Sequence, residues 1–426
     1  QFMYKYEKKD KKGTVTLTIS KEEWEKAVEK SYEENKGKFN IQGFRKGKAP
    51  RKVIEQNYGD TVFFDDAFDH VVSSEYNKFL NENTNVIPVE QPHIVDNKFT
   101  ADKGLEVVLE FDLLPEFTLP SFKGLKAKKA DVKVTDEQVD AELENERQAH
   151  ARYEEKDKNA ELGDFATIDF VGYVDDVKFE GGEAKDYRIE LGSHTFIDTF
   201  EDQIVGMKKG EEKDIKVTFP KNYHAEELKG KPAVFKVTLK KVEEKELPTI
   251  DDKYISDTTE FETLEEYKKS IKENLVKMEE DKVERDYEVA LLDEIAQLSN
   301  IEVPHSMVEH EVHHMVEDFE HRLSHQGMTL QNYLDYVGKT LDEFKKDREN
   351  DAEKNIKTRL VLQKIISENN ITASSEELDK SIEEYATRYN MTLDDFKKAM
   401  SPNDYAYFEN NVIMTKVLDL IKEQCK

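Results

Sequence analysis

Past Pro248 the chain repeats one pattern to its end: apolar residues at helical spacing on a charged background. Leu264, Tyr267, Ile271, Leu275 and Met278 form one stripe, and Leu291, Ile295 and Leu298 form another. Pro304 restarts the helix, and Val308, Val312, Met315, Phe319 and Leu323 share its next face. Further helices are predicted over residues 341–368, 375–388 and 402–423. Such a segment buries its stripes only helix against helix, so this part of the molecule is expected to be all-α.

Upstream the texture differs. Residues 3–19 alternate through Tyr4, Tyr6, Val15, Leu17 and Ile19 around a turn at Asp10–Gly13, the signature of a β-hairpin. Ser20 before Lys21-Glu22-Glu23 is a capping box that opens a helix to about Asn35. Short helices over 53–58 and 61–81 and a strand over 106–114 complete an α+β domain. Pro115 and Pro120 mark a connection, and residues from Thr135 to Tyr153 read as a polar helix. Between Gly163 and Val242, β-like runs at 166–173, 186–191, 214–219 and 233–242 surround one short helix near Thr199–Val205. The expected fold class is therefore multidomain α+β. Its parts are an α+β domain at 1–112, a linker at 113–150, an antiparallel β domain with a short helix at 151–245, and an all-α domain with arms at 246–426.

Net charge of -29 repels nucleic acid from most of the surface, so contact with RNA requires a local basic patch, and DNA is not an expected partner. One such patch exists. From Lys36 to Ile54 there are seven cationic residues (Lys36, Lys38, Arg45, Lys46, Lys48, Arg51, Lys52) and no acidic one, a local charge of +7. At its centre is Gly43-Phe44-Arg45-Lys46-Gly47-Lys48-Ala49-Pro50. Glycines permit a tight exposed loop, Phe44 offers an apolar anchor, and the cations can pair with phosphate or carboxylate. A solvated basic loop with no partner has the same composition.

The sole cysteine, Cys425, cannot form an internal disulfide, which points to a reducing cytosol. No run of about 18 apolar residues predicts a membrane helix. The N-terminus lacks an apolar secretory core, and Met3 reads as the natural start.

Gly43–Pro50 resembles the signature of the trigger factor family, ribosome-associated chaperones of nascent chains. The resemblance implies docking on the large ribosomal subunit beside the exit tunnel, with contact through Phe44, Arg45 and Lys46 and loop support from Gly43, Gly47 and Lys48. It also implies a cytoplasmic protein whose helical part shelters nascent and unfolded chains without ATP, and which can form a homodimer when free. No G-x-x-x-x-G-K-[ST] loop is present, and no cofactor is expected.

Residues 163–242 in turn resemble an FKBP-type prolyl isomerase through Ile168–Tyr173, Phe179–Gly182, Leu191-Gly192, Phe200-Glu201, Phe219-Pro220 and Tyr223-His224. Prolyl isomerisation needs no metal or nucleophile. A twisted imide has lost its resonance, and a dry apolar cradle that fits it lowers the barrier. The residues this resemblance implies for the pocket are Phe170, Phe179, Tyr187, Phe196, Ile197, Phe200, Tyr223 and Phe235, with Tyr223 as a hydrogen-bond donor to the substrate carbonyl. Aromatics of a small β domain also make its core, so some are expected there. Where the family commonly has Pro-Gly, this chain has Asp198-Thr199, which places a charge near the rim; Thr199 is expected to act as a helix N-cap. A prolyl isomerase with helical extensions and no ribosome contact is the alternative reading.

His310-Glu311-Val312-His313-His314 satisfies H-E-x-x-H, and six of the eleven histidines lie between His305 and His325. A zinc hydrolase would place both motif histidines on one helix face with Glu311 activating water. Against it, the apolar stripe directs His310 and His314 toward the polar side, and no bound metal is expected.

Overall fold

The computed structural model describes residues 4–100 and 104–426. The expectation about Met3 lies outside them. The chain forms two compact units, one built from residues up to 129 and from 285 onward, the other from 130–284.

The first unit begins with the hairpin β1 (Tyr4–Lys9) and β2 (Lys12–Ile19), turned at Asp10 with φ of 53°. Ser20 accepts from the Glu23 amide and Glu23 reaches back to Ser20, so the capping box opens α1 (Lys21–Asn35) as the sequence requires. Helices α2 (Arg51–Tyr58) and α3 (Phe64–Glu82) follow. Strands β3 (His93–Thr100) and β4 (Gly104–Asp112) complete a four-stranded antiparallel sheet in the order β1-β2-β4-β3. The alternation of β2 and β4 drives Val15, Leu17, Ile19, Val107, Leu109 and Phe111 into one core with Trp24, Val28 and Phe79 of the helices. Residues 114–127 lie against the helical core of the same unit through Phe117, Phe122 and Leu125, where Glu294 accepts the backbone N–H groups of Lys126 and Ala127.

In the second unit, α4 (Asp136–Ala149) is shorter than expected, and residues read as its last turn form the strand β5 (Arg152–Glu155). With β5, strands β6 (Phe165–Val174), β7 (Val177–Glu190), β8 (Glu212–Thr218) and β9 (Pro232–Glu246) build a five-stranded antiparallel sheet on which α5 (Phe200–Ile204) packs through Phe200 and Ile204. Next come α6 (Asp252–Thr258) and the start of α7 (Leu264–Leu298). There Tyr267 donates to Glu146 of α4 at 2.6 Å, and that hydrogen bond, helped by burial, pushes the phenol up to about 12.

The two stripes expected at 264–298 belong to the one helix α7, but Met278 and Leu298 on it are exposed. The remaining helices belong to the first unit: α8 (His305–His325), α9 (Leu330–Val337), α10 (Leu341–Lys346), α11 (Glu349–Glu368), α12 (Ser375–Arg388), α13 (Leu393–Ala399) and α14 (Pro402–Gln424). The single helix predicted over 341–368 is broken at Asp347-Arg348, and α9 and α13 had no counterpart in the periodicity. No described helix is long and apolar enough to cross a membrane.

Candidate functional site

Strands β6, β7 and β9, the 192–199 loop and the 219–224 turn enclose a cleft of about 420 Å³. Six of the eight aromatic and aliphatic residues predicted for it line it: Phe170, Phe179, Phe196, Ile197, Tyr223 and Phe235. Phe200 does not. It opens α5, is fully buried, and stacks under Phe196 at 4.2 Å, forming the floor of the cleft from within the core. Tyr187 stands outside the lining, exposed on β7 and edge-on to Phe170 and Phe196 at 5.7 and 5.8 Å. Tyr223 is half-buried, and its hydroxyl has no partner among the described residues, so it can serve a ligand.

Two features lie within the motif segments but were not among the residues expected to form the pocket. Gly172 and Gly182 form pads for the Phe179 ring: a Cβ at Gly172 would lie 2.6 Å from that ring and 2.7 Å from Phe235, and one at Gly182 would lie 2.5 Å from Phe179. The second is Glu201, only 4% exposed. Its carboxylate accepts the N–H groups of Gly192 (2.9 Å), His194 (3.0 Å) and Phe196 (3.1 Å) and the hydroxyls of Ser193 and Thr195. Burial pushes this carboxyl up, but the amides of His194, Phe196 and Gly192 and the Ser193 hydroxyl outweigh it and hold it below its ordinary value. One buried anion thereby fixes the loop that presents Phe196 and Ile197.

Asp198 sits exposed on the cleft lining. The expected N-cap role of Thr199 does not hold. Thr199 has φ of 72°, in the left-handed region, and its side chain makes no cap bond; its Oγ accepts instead from Gln203. The turn requires a backbone conformation natural to glycine, and that requirement outranks capping.

In the first unit, the basic segment runs from the end of α1 over a single 3-10 turn into an open loop ending at α2. Gly43 and Gly47 have φ of 89° and 74°, and the Lys48 amide donates to the Arg45 carbonyl at 2.9 Å, closing a turn over Arg45–Lys48. Ala49 is buried, and its carbonyl accepts from the Tyr32 hydroxyl at 3.0 Å, which anchors the loop base. Phe44 is 44% exposed, and Arg45, Lys46 and Lys48 are exposed without ion pairs among the described residues. The whole +7 is not available, however. Arg51 is taken up by Glu25, Glu29 and Glu55, and Lys36 by Glu33.

Family models described as bacterial trigger factor protein match residues 3–146, and its C-terminus 263–423; one described as FKBP-type peptidyl-prolyl cis-trans isomerase matches 156–240. The trigger factor of Caldicellulosiruptor saccharolyticus is 40% identical over 425 residues, 99% of this chain and 97% of that one. The chain belongs to the trigger factor family. The trigger factors of Acetivibrio thermocellus (39% over 425 residues, 99% of each chain) and Clostridium botulinum (40% over 414 residues, 97% of this chain and 96% of the relative) are similar over the same extent. A solved structure described as "Promiscuous Substrate Recognition in Folding and Assembly Activities of the Trigger Factor Chaperone" superposes with a TM-score of 0.51 over 99% of both chains at 24% identity, which shows the fold alone.

As a trigger factor the protein is a ribosome-associated chaperone of nascent chains with peptidyl-prolyl cis-trans isomerase activity. The 156–240 match contains the aromatic cleft, and the 3–146 match contains the basic loop. The hydrolase motif does not assemble in this trigger factor. Glu311 turns from the histidines to pair with Arg359 of α11 at 3.0 Å, while His310 and His314 lie exposed with their Nε2 atoms 3.1 Å apart. The zinc hydrolase reading is set aside on that geometry and on the family. The free-isomerase reading is set aside because the chain matches trigger factors along its length.

Proposed function

We propose that the Phe44-Arg45-Lys46 turn, shaped by Gly43, Gly47 and Lys48, is the docking element, and that its partner is the large ribosomal subunit beside the exit tunnel. What carries the reading is an apolar ring and three cations, without ion pairs among the described residues, displayed together on a molecule of net charge -29. An anionic partner repels most of this surface and attracts the turn, which orients the complex and keeps it reversible. Ribosome cosedimentation tests it. Binding weakens as salt rises, because neutralised phosphates release counterions, and the R45E/K46E variant pellets no more than background. Pelleting indifferent to both would refute the assignment.

In the isomerase unit the cleft takes a prolyl ring between Phe170, Phe179, Phe196 and Phe235. An ordinary amide resists rotation by about 18–20 kcal/mol, because its resonance is strongest when planar. Walls of aromatic carbon exclude the water that solvates the planar imide, and the Tyr223 hydroxyl donates to the substrate carbonyl as the bond twists. Tyr187 and Phe200 act by holding Phe170 and Phe196 in place. Asp198 at the rim disfavours acidic residues beside the proline.

Functional boundaries follow as residues 1–112 for docking, 113–150 as linker, 151–245 for isomerisation and 246–426 for cradling clients. An open groove of about 880 Å³ in the helical part, lined by Leu292, Met315, Leu362, Ile366, Ile413 and Met414, supports the last role. The protein acts in the cytoplasm, and its free form self-associates as a homodimer, which sedimentation equilibrium would measure.

A further inference from the structure

The histidines of α8 are not used by docking, isomerisation or the client groove. His310, His314, His321 and His325 stand four, seven and four residues apart and are all exposed. At about 100° per residue these offsets keep all four within about 60° of one another around the helix. Val308, Val312, Val316 and Leu323 fill the opposite, buried side. The two i,i+4 pairs repeat one geometry. The rings of His310 and His314 meet edge-on with centroids 4.5 Å apart and planes at 82°, and those of His321 and His325 do so at 4.6 Å and 79°.

That geometry suits a chelated ion. The Nε2 atoms of His310 and His314 are 3.1 Å apart. With metal–nitrogen bonds of about 2.05 Å, that separation subtends about 98° at the ion, between the roughly 90° of a square site and the roughly 109° of a tetrahedral one. A carboxylate is also in position to fix the ring. Glu317 Oε2 lies 3.4 Å from Nδ1 of His314. A small rotation that brought this contact to hydrogen-bond distance would put the proton on Nδ1 and leave Nε2 with its lone pair outward, the arrangement that supports metal-bound imidazoles.

We propose that the outer face of α8 binds divalent transition-metal ions, one at His310–His314 and a second at His321–His325. Imidazole nitrogen suits Cu²⁺, Ni²⁺ and Zn²⁺ over Mg²⁺ or Ca²⁺, and water completes each coordination shell. Each ion spans one helical turn, and the two lie about 16 Å apart along the axis. The first ion would use the two histidines of the H-E-x-x-H motif without its carboxylate, because Glu311 faces Arg359 and takes no part.

The test is a titration of the full chain with Ni²⁺ alone, followed by calorimetry. Two ions bind per chain. His310→Ala or His321→Ala removes one each, weakening the altered pair about a hundredfold as the second imidazole no longer binds intramolecularly, and the double variant binds neither. Cu²⁺ electron paramagnetic resonance on the unaltered chain gives a readout independent of any variant: hyperfine coupling from two imidazole nitrogens per ion. Helical circular dichroism stays constant, since none of these side chains is buried. Unchanged Ni²⁺ binding in the double variant overturns the proposal, as does a single ion per chain. So does binding lost instead in His70→Ala, which would place the ion at Glu34, Asp66 and His70, whose ligand atoms gather within 4.8 Å of one another.

Discussion

Replacing Glu201 by glutamine separates the role of one buried anion from that of the aromatics it positions. The carboxylate presents Oε2 to the amides of Gly192 and His194 and Oε1 to the amide of Phe196 and two hydroxyls. Glutamine has one acceptor oxygen and one NH₂ donor. Turned one way, its NH₂ faces the amides of Gly192 and His194. Turned the other, it faces only the Phe196 amide, and the hydroxyls of Ser193 and Thr195 can rotate to accept from it. The second orientation is cheaper. It leaves one buried N–H unsatisfied, about 1–3 kcal/mol, and reduces two charge-assisted bonds to neutral ones, about 1 kcal/mol each. The sum is about 3–5 kcal/mol of loop stability. Hydrogen exchange of the 192–196 amides measures it in the full chain, and every 1.4 kcal/mol lost makes exchange through local opening about tenfold faster. Acceleration of about a hundredfold or more is expected, with kcat/KM for a prolyl peptide falling because Phe196 and Ile197 lose their fixed positions. Exchange within a factor of three of the unaltered protein would refute the argument that this carboxylate organises the cleft.

Because Glu201 is held below the ordinary carboxyl value in the folded state, its stabilisation is complete above the unfolded carboxyl pKa and is lost as pH falls through the folded one. Acid titration of amide exchange in the 192–196 loop should therefore steepen in that low range, and E201Q should flatten it. Thr199→Gly relieves a left-handed β-branched residue worth about 1–2 kcal/mol, less about 0.5–1 kcal/mol of glycine entropy. It is expected to stabilise the unit by up to about 1.5 kcal/mol in urea unfolding. Gly172→Ala thrusts a methyl into the Phe179 and Phe235 rings and costs about 1–3 kcal/mol of overpacking; isomerase kcat/KM drops while ribosome cosedimentation stays unchanged. Glu311→Gln breaks the pair with Arg359 and leaves isomerase activity as it was, which a peptide assay checks.

Local chemistry was legible in the residues themselves. Ser20 with Glu23, and glycine at positions 43 and 47, act over a few residues, and the structure shows the cap and the positive φ values those residues favour. The stripe on α8 was also readable, because a helix facing a core repeats its apolar side every turn. Strand β3 was not: it is an edge strand exposed on both faces and bulged between Ile94 and Asp96, so no alternation records it. Among the apolar residues of the helical part, Leu323 and Phe408 are buried whereas Tyr336 is 88% exposed, a division made by packing. Sequence alone thus determined that Ser20 caps α1, that glycines 43 and 47 turn the chain, and which loop carries positive charge. Tertiary structure alone decided that Arg51 is neutralised by Glu25 and Glu29, that Phe200 lies beneath the cleft rather than in it, and that Glu311 faces Arg359. Each of those outcomes depends on a partner that folding brings close, and no pattern in neighbouring residues encodes the distance to it.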